Sequence, residues 1–147
     1  MAGAKRLLTL DAGVFVAALK RDEPYSDGCA SILEGVPDEF ILVEPSIVYQ
    51  EVCGALARRV GPGAAKEAGE ILDEVIHPRL LVNCDREFCL SAYPLCHGFG
   101  IYAIDALYLK AALDMGAVLI SLDKEDFVDR IREKSPDLKA CHVSEFR

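Results

Sequence analysis

What most constrains this chain is a set of short, almost uniformly apolar runs set between stretches of helical period. Residues 7–10, 40–43, 79–82 and 117–121 each have strand length and lack the polar alternation that would leave one face in water. Strands of a parallel sheet read this way, because helices cover both of their faces. Between the runs, residues 14–20, 25–33, 46–60, 64–76, 86–96 and 104–115 read as helices. Cys29, Ile32 and Leu33 share one face of the second, and Ala68, Ile71, Leu72, Val75 and Ile76 one side of the fourth. Gly35-Val36-Pro37 and Gly61-Pro62-Gly63 supply the stops, and residues 141–143 could add a short last strand. The expected fold is therefore α/β, in three layers, with a short parallel sheet of four to five strands flanked by helices. With no linker, repeat or low-complexity tract, residues 1–147 read as a single domain.

A domain of this length buries roughly 68–70% of its unfolded surface and needs no disulfide or structural metal to hold a core. The net charge of -8 argues against a protein that grips nucleic acid by general basicity, so any such site must be local. The acid excess serves either solubility or a cluster of carboxylates that takes a cation. No apolar run approaches a membrane span, and the run after Lys5-Arg6 is too short for a signal-peptide core, so a cytoplasmic protein with no membrane contact is expected. The six Cys form no C-x-x-C pair, and Cys84, Cys89, Cys96 and His97 match no common zinc spacing.

In parallel sheets ligands sit beyond the carboxyl ends of the strands. Asp11 follows the first run directly and Asp123 stands just past residues 117–121, so both belong at that edge. Either could instead cap the segment behind it. Glu51 lies in the mostly apolar stretch 48–56, where a carboxylate must be paired, protonated, cation-bound or turned to solvent. Asp105 opens an otherwise apolar helix, a place the helix dipole favours for an acid. Singly none of these decides anything. Gathered at one edge, four carboxylates repel, and they persist at neutral pH only with cations or with some of them protonated. Mg²⁺ or Mn²⁺ suits such an all-oxygen set.

The stretches Leu10-Asp11-Ala12-Gly13, Gln50-Glu51-Val52, Ile104-Asp105-Ala106-Leu107-Tyr108 and Leu119-Ile120-Ser121-Leu122-Asp123-Lys124-Glu125-Asp126-Phe127 stand in an order and spacing that resemble the PIN domain family. Within it they resemble the small VapC-type ribonuclease toxins of toxin-antitoxin pairs, over nearly the whole chain. The resemblance implies that Asp11, Glu51, Asp105 and Asp123 are both catalytic and metal-binding, with Ser121 and Asp126 as auxiliary residues. Gly13 departs from the family, which often has Ser or Thr there. The activity implied is Mg²⁺- or Mn²⁺-dependent cleavage of single-stranded or looped RNA, in a homodimer held inactive by a small antitoxin protein. That antitoxin would be sought on residues 25–33 and 46–76, which carry apolar stripes. For RNA contact the basic candidates are Lys20, Arg21, Arg58, Arg59, Lys110, Lys124, Arg130 and Arg132, with Lys110 and Lys124 favoured by closeness to Asp105 and Asp123. The alternatives are a PIN-fold scaffold that binds protein without catalysis and a stand-alone nuclease without an antitoxin.

Overall fold

The computed structural model describes residues 4–146. Its main sheet has four strands, all parallel, in the order β2-β1-β5-β6: β1 is Arg6–Leu10, β2 Phe40–Leu42, β5 Val118–Ser121 and β6 Ala140–His142. The apolar runs occupy it as their composition requires, with Leu8, Leu10, Leu42, Leu119 and Ile120 fully buried. Thr9, the polar break in the first run, is buried with its hydroxyl satisfied by the Val43 carbonyl at 2.7 Å.

After β2 the chain turns away and forms a separate parallel pair, β3 (Glu44–Pro45) with β4 (Leu81–Val82). The run at 79–82 is thus a single 3₁₀ turn followed by a two-residue strand outside the main sheet, because Pro78 starts a helical turn over its first residues.

Helices flank the sheet. α1 (Ala12–Leu19) packs on α2 (Ser26–Glu34) and α3 (Ile47–Arg59), and α3 forms a hairpin with α4 (Pro62–Val75) across the Gly61 turn, where φ is +146°. The expected helix over 86–96 is two, α5 (Arg86–Ala92) and α6 (Pro94–Phe99), since Pro94 has no amide to continue the first. α7 (Ala103–Met115) packs against β1, β3 and β5 and ends at Gly116 in the left-handed conformation. Past β5 lie a π turn over Lys124–Val128 and then α8 (Asp129–Lys134). The sequence DRIREK carries no apolar period, yet Phe127 and Ile131 anchor this segment in the core. No helix among the described residues is long and apolar enough to cross a membrane.

Candidate active site

The parallel register decides where the first acids meet. Leu10 pairs with Ile120, so Asp11, the first residue past β1, and Ser121, the last residue of β5, stand side by side at the carboxyl edge of the sheet. The Asp11 amide still donates to the Ile120 carbonyl at 3.0 Å, and Asp11 Oδ2 accepts from Ser121 Oγ at 2.8 Å. Ser121 Oγ accepts in turn from the Asp123 amide at 3.0 Å, and Asp123 Oδ1 accepts from the Asp126 amide at 3.1 Å. Fully buried, Ser121 is the hub that ties the first acid to the loop carrying the last.

The capping alternatives resolve differently for each acid. Asp11 stands at the N-cap of α1 but makes no side-chain cap bond, and its carboxylate is engaged by Ser121 instead. Asp123 does cap the π turn. Asp105 occupies the first turn of α7, behind Tyr102 at the N-cap, and Glu51 the second turn of α3.

Electrostatics tie the four together. Burial pushes the pKa of Asp11 from 3.8 up to about 6, against the pull of the Ser121 hydrogen bond, and the charges of Glu51 and Asp123 add to the rise. Asp105 is pushed up to about 7, by burial first and then by Asp11, Asp123, Glu51 and Asp126. Like charges in a poorly solvated place disfavour one another's ionised forms. Among the described residues no three His, Cys, Asp or Glu side chains form a ready-made cation cage. The quartet is a loose, mutually repelling group of hard oxygen donors, a set that suits Mg²⁺ or Mn²⁺ by ligand type.

Sequence reasoning missed a fifth acid. Glu44 is fully buried, its Oε2 accepts from the Leu10 amide at 2.7 Å, and its pKa is raised well above the usual carboxylate range by burial and by Asp11. The available signal was Pro45: the residue before a proline is held extended, so Glu44 continues the strand inward alongside the site instead of beginning a helix.

The basic candidates are mostly engaged on the surface. Lys110 pairs with Asp114 at 2.9 Å and Lys124 with Asp129 at 2.9 Å. Lys20 pairs with Asp22, Arg21 with Asp27, Arg59 with Glu23, Arg130 with Asp126 and Arg132 with Glu145. Arg130 also donates to the Gly100 carbonyl. Beside the acids a cleft of about 430 Å³ is lined by Gly13, Val16, Tyr25, Glu51, Arg59 and Leu122, among others. At Gly13 the nearest atom to an added Cβ would be Leu122 Cδ1 at 4.0 Å, ordinary van der Waals contact, so a side chain there fits without displacement.

The PIN domain family model matches residues 8–134. This chain belongs to the PIN domain family. Solved structures agree on the fold at low identity. The VapC20 toxin of Mycobacterium tuberculosis, described as cleaving the sarcin-ricin loop, superposes with a TM-score of 0.65 at 16% identity over 78% of this chain and 86% of that one. A toxin-antitoxin complex from Klebsiella pneumoniae gives 0.65 at 14% over 95% and 99%. VapBC-1 from nontypeable Haemophilus influenzae gives 0.65 at 19% over 95% and 99%. No curated protein matches in sequence. The PIN resemblance read from the four acidic motifs is therefore correct at the level of family and fold, and the parallel sheet with flanking helices is the PIN architecture.

Proposed function

We propose that this PIN domain is a Mg²⁺- or Mn²⁺-dependent endoribonuclease that cleaves single-stranded or looped RNA, and that it is the toxin of a toxin-antitoxin pair. The observation that carries the reading is the acidic quartet: Asp105 responds to the charges of Asp11, Glu51 and Asp123, each delivered from a different element. Such a group is strained without a counter-ion, and a cation is the ligand it favours most. Bound there, divalent ions supply an activated water and neutralise charge on the scissile phosphate. The chain's own residues arrange this. Ser121 holds Asp11 in one orientation, Asp123 is fixed through its own amide and that of Asp126, and the cleft beside Glu51 gives a nucleotide room to approach. Asp126, paired with Arg130, is the auxiliary acid.

Lys110 and Lys124 are the proposed RNA contacts. Their surface ion pairs are weak enough to exchange for phosphate. The Klebsiella toxin-antitoxin complex supports an antitoxin as partner. Its place on α2 and the α3–α4 hairpin is proposed from their apolar stripes, and a homodimer acting in the cytoplasm from the family resemblance alone. A small open reading frame immediately upstream would favour the toxin, and its absence a stand-alone nuclease.

The test is cleavage of a mixed single-stranded RNA by purified protein with Mn²⁺, Mg²⁺ or EDTA, run beside Asp105→Asn. Metal-dependent cutting that the substitution abolishes supports the nuclease and its site together. Equal cutting by both proteins overturns the assignment, and no cutting by either, with no thermal gain from metal, favours a non-catalytic scaffold.

A further inference from the structure

Among the described residues three buried side-chain polar atoms find no hydrogen-bond partner: Ser26 Oγ, Glu44 Oε1 and the Tyr108 hydroxyl. Two of the three belong to residues that interact with the acidic quartet. Buried polar groups are nearly always satisfied, because an orphan forfeits its bond to water and gains nothing in return. Two orphans beside one group of acids call for an explanation that packing does not give.

The elements bring these two residues together. β3, which carries Glu44, packs against α7, which carries Tyr108. Tyr108 follows Asp105 by three residues and shares its face of the helix, one turn deeper and fully buried. Of the acids acting on the Tyr108 hydroxyl, Glu51 acts most strongly, through its charge and through hydrogen bonding, although no hydrogen bond of normal length forms; Asp11 and Glu44 follow. Glu44 meets the site from the other side. β2 stops pairing with β1 at Leu42, which leaves the Leu10 amide without a strand partner there, and Glu44 Oε2 takes that amide at 2.7 Å. The bond pins the residue immediately before Asp11.

We propose that Glu44 and Tyr108 form a buried positioning layer behind the acidic quartet, Glu44 fixing Asp11 through the Leu10 amide and Tyr108 orienting the Glu51 carboxylate for a divalent cation. The proposal rests on the reading of the quartet as a cation site. Neither residue is a ligand or touches substrate; each holds a ligand. Outer groups of this kind tune metal sites by orienting the inner donors, and their loss typically lowers metal affinity or activity about 10- to 100-fold. The orphaned hydroxyl then has a reason. It makes no hydrogen bond of normal length in the fold, and its donor is directed to the Glu51 carboxylate, whose orientation matters when the cation is there.

The experiment is the Mn²⁺ concentration for half-maximal thermal stabilisation, measured for wild type, Tyr108→Phe, Glu44→Gln and Glu44→Met, with melting in EDTA and RNA cleavage alongside. Tyr108→Phe keeps the ring and deletes the orphan, so its melting temperature in EDTA is expected to equal or exceed that of wild type while half-saturation rises about 10-fold. A merely structural tyrosine would show no such opposition. Glu44→Gln keeps an acceptor for the Leu10 amide and is expected to keep wild-type half-saturation, whereas Glu44→Met is expected to raise it about 10-fold and lower kcat with KM for RNA unchanged. If Glu44→Met does not fold, Tyr108→Phe decides. Wild-type half-saturation in Tyr108→Phe and in any folded Glu44→Met overturns the positioning layer and leaves the cation site standing. No response to Mn²⁺ in wild type removes the cation site, and the layer with it.

Discussion

The carboxyl edge of β1 and β5 and the ion-paired face of residues 124–145 are built from the same residue types and reach opposite electrostatic outcomes. On the ion-paired face acids are matched: Lys124 holds Asp129, Arg130 holds Asp126 and Arg132 holds Glu145. The Arg132 hydrogen bond accordingly pulls the pKa of Glu145 below its usual value. At the sheet edge Asp11, Glu51, Asp105 and Asp123 gather without a base among them, and burial with mutual repulsion lifts Asp11 to about 6 and Asp105 to about 7. Asp126 stands on the boundary, paired with Arg130 yet adding to the rise at Asp105. Paired surface acids contribute solubility and little stability. Unpaired, half-buried ones hold repulsion that a cation relieves, and that difference separates a candidate site from ordinary surface on one acidic chain.

The largest expected effect comes from removing one member of the unmatched set. Asp105→Asn deletes a proposed ligand together with a charge that burial and four neighbouring acids disfavour. Metal-dependent cleavage should fall about 100-fold or more, while the melting temperature in EDTA rises. A fall in both would mean that Asp105 is held by an interaction the comparison omits.

Next is the hub. Ser121→Ala leaves the Asp123 amide and Asp11 Oδ2 without their shared hydroxyl, a loss of about 1–3 kcal/mol in chemical denaturation. The Mn²⁺ response should weaken with it. Loss of stability with an unchanged Mn²⁺ response would make Ser121 a structural residue only.

The pH dependence sharpens the contrast. A carboxyl group whose folded pKa is raised binds its proton more tightly in the native state, so its contribution is fully present below the unfolded value of 3.8 and is lost as pH climbs through the folded one. In EDTA the melting temperature should therefore decline as pH rises through about 6 to 7, and saturating Mn²⁺ should flatten or reverse the decline. A matched acid such as Glu145, with its pKa lowered, predicts the opposite trend at lower pH: its stabilisation is present above its unfolded pKa and is lost as pH falls through the folded one.

Much of this site was legible before any coordinates, and the reasons are specific. Apolar runs fix strands, strands in a parallel sheet share one carboxyl edge, and Asp11 and Asp123 follow the two runs that became adjacent strands. Glu51 and Asp105 needed the family motifs, since helix position alone left them as solvated or dipole-favoured acids. Glu44 escaped because a lone Glu between an apolar run and Pro45 reads as a boundary, and only the departure of β2 from β1 shows that its carboxylate replaces a strand partner. The split at Pro94 was visible in principle but lay within an otherwise continuous helical pattern. The ion pairs of Lys110 and Lys124 were not legible, because which surface charges meet depends on the packing of α7 and on the π turn.

Smaller effects probe the paired surface charges of α7 and of the matched face. Lys110→Ala and Lys124→Ala should change stability by no more than about 0.5 kcal/mol. If each contacts one phosphate, each should reduce the salt slope of RNA binding by about 0.7. An unchanged slope would return both to the solvated surface. Smallest of all is Gly13→Ser, whose Cβ would meet only Leu122 at ordinary contact distance, and which should leave folding and the Mn²⁺ response nearly untouched.

The central claim, that the four acids are a divalent-cation site, is tested most directly by isothermal titration of Mn²⁺ into wild type and Asp105→Asn at pH 7, in two buffers of different ionisation heat. With the Asp105 carboxyl pushed up to about 7, the account predicts binding accompanied by release of a fraction of a proton, with both binding and release reduced in the variant. Absence of binding, or identical titrations for the two proteins, would contradict it.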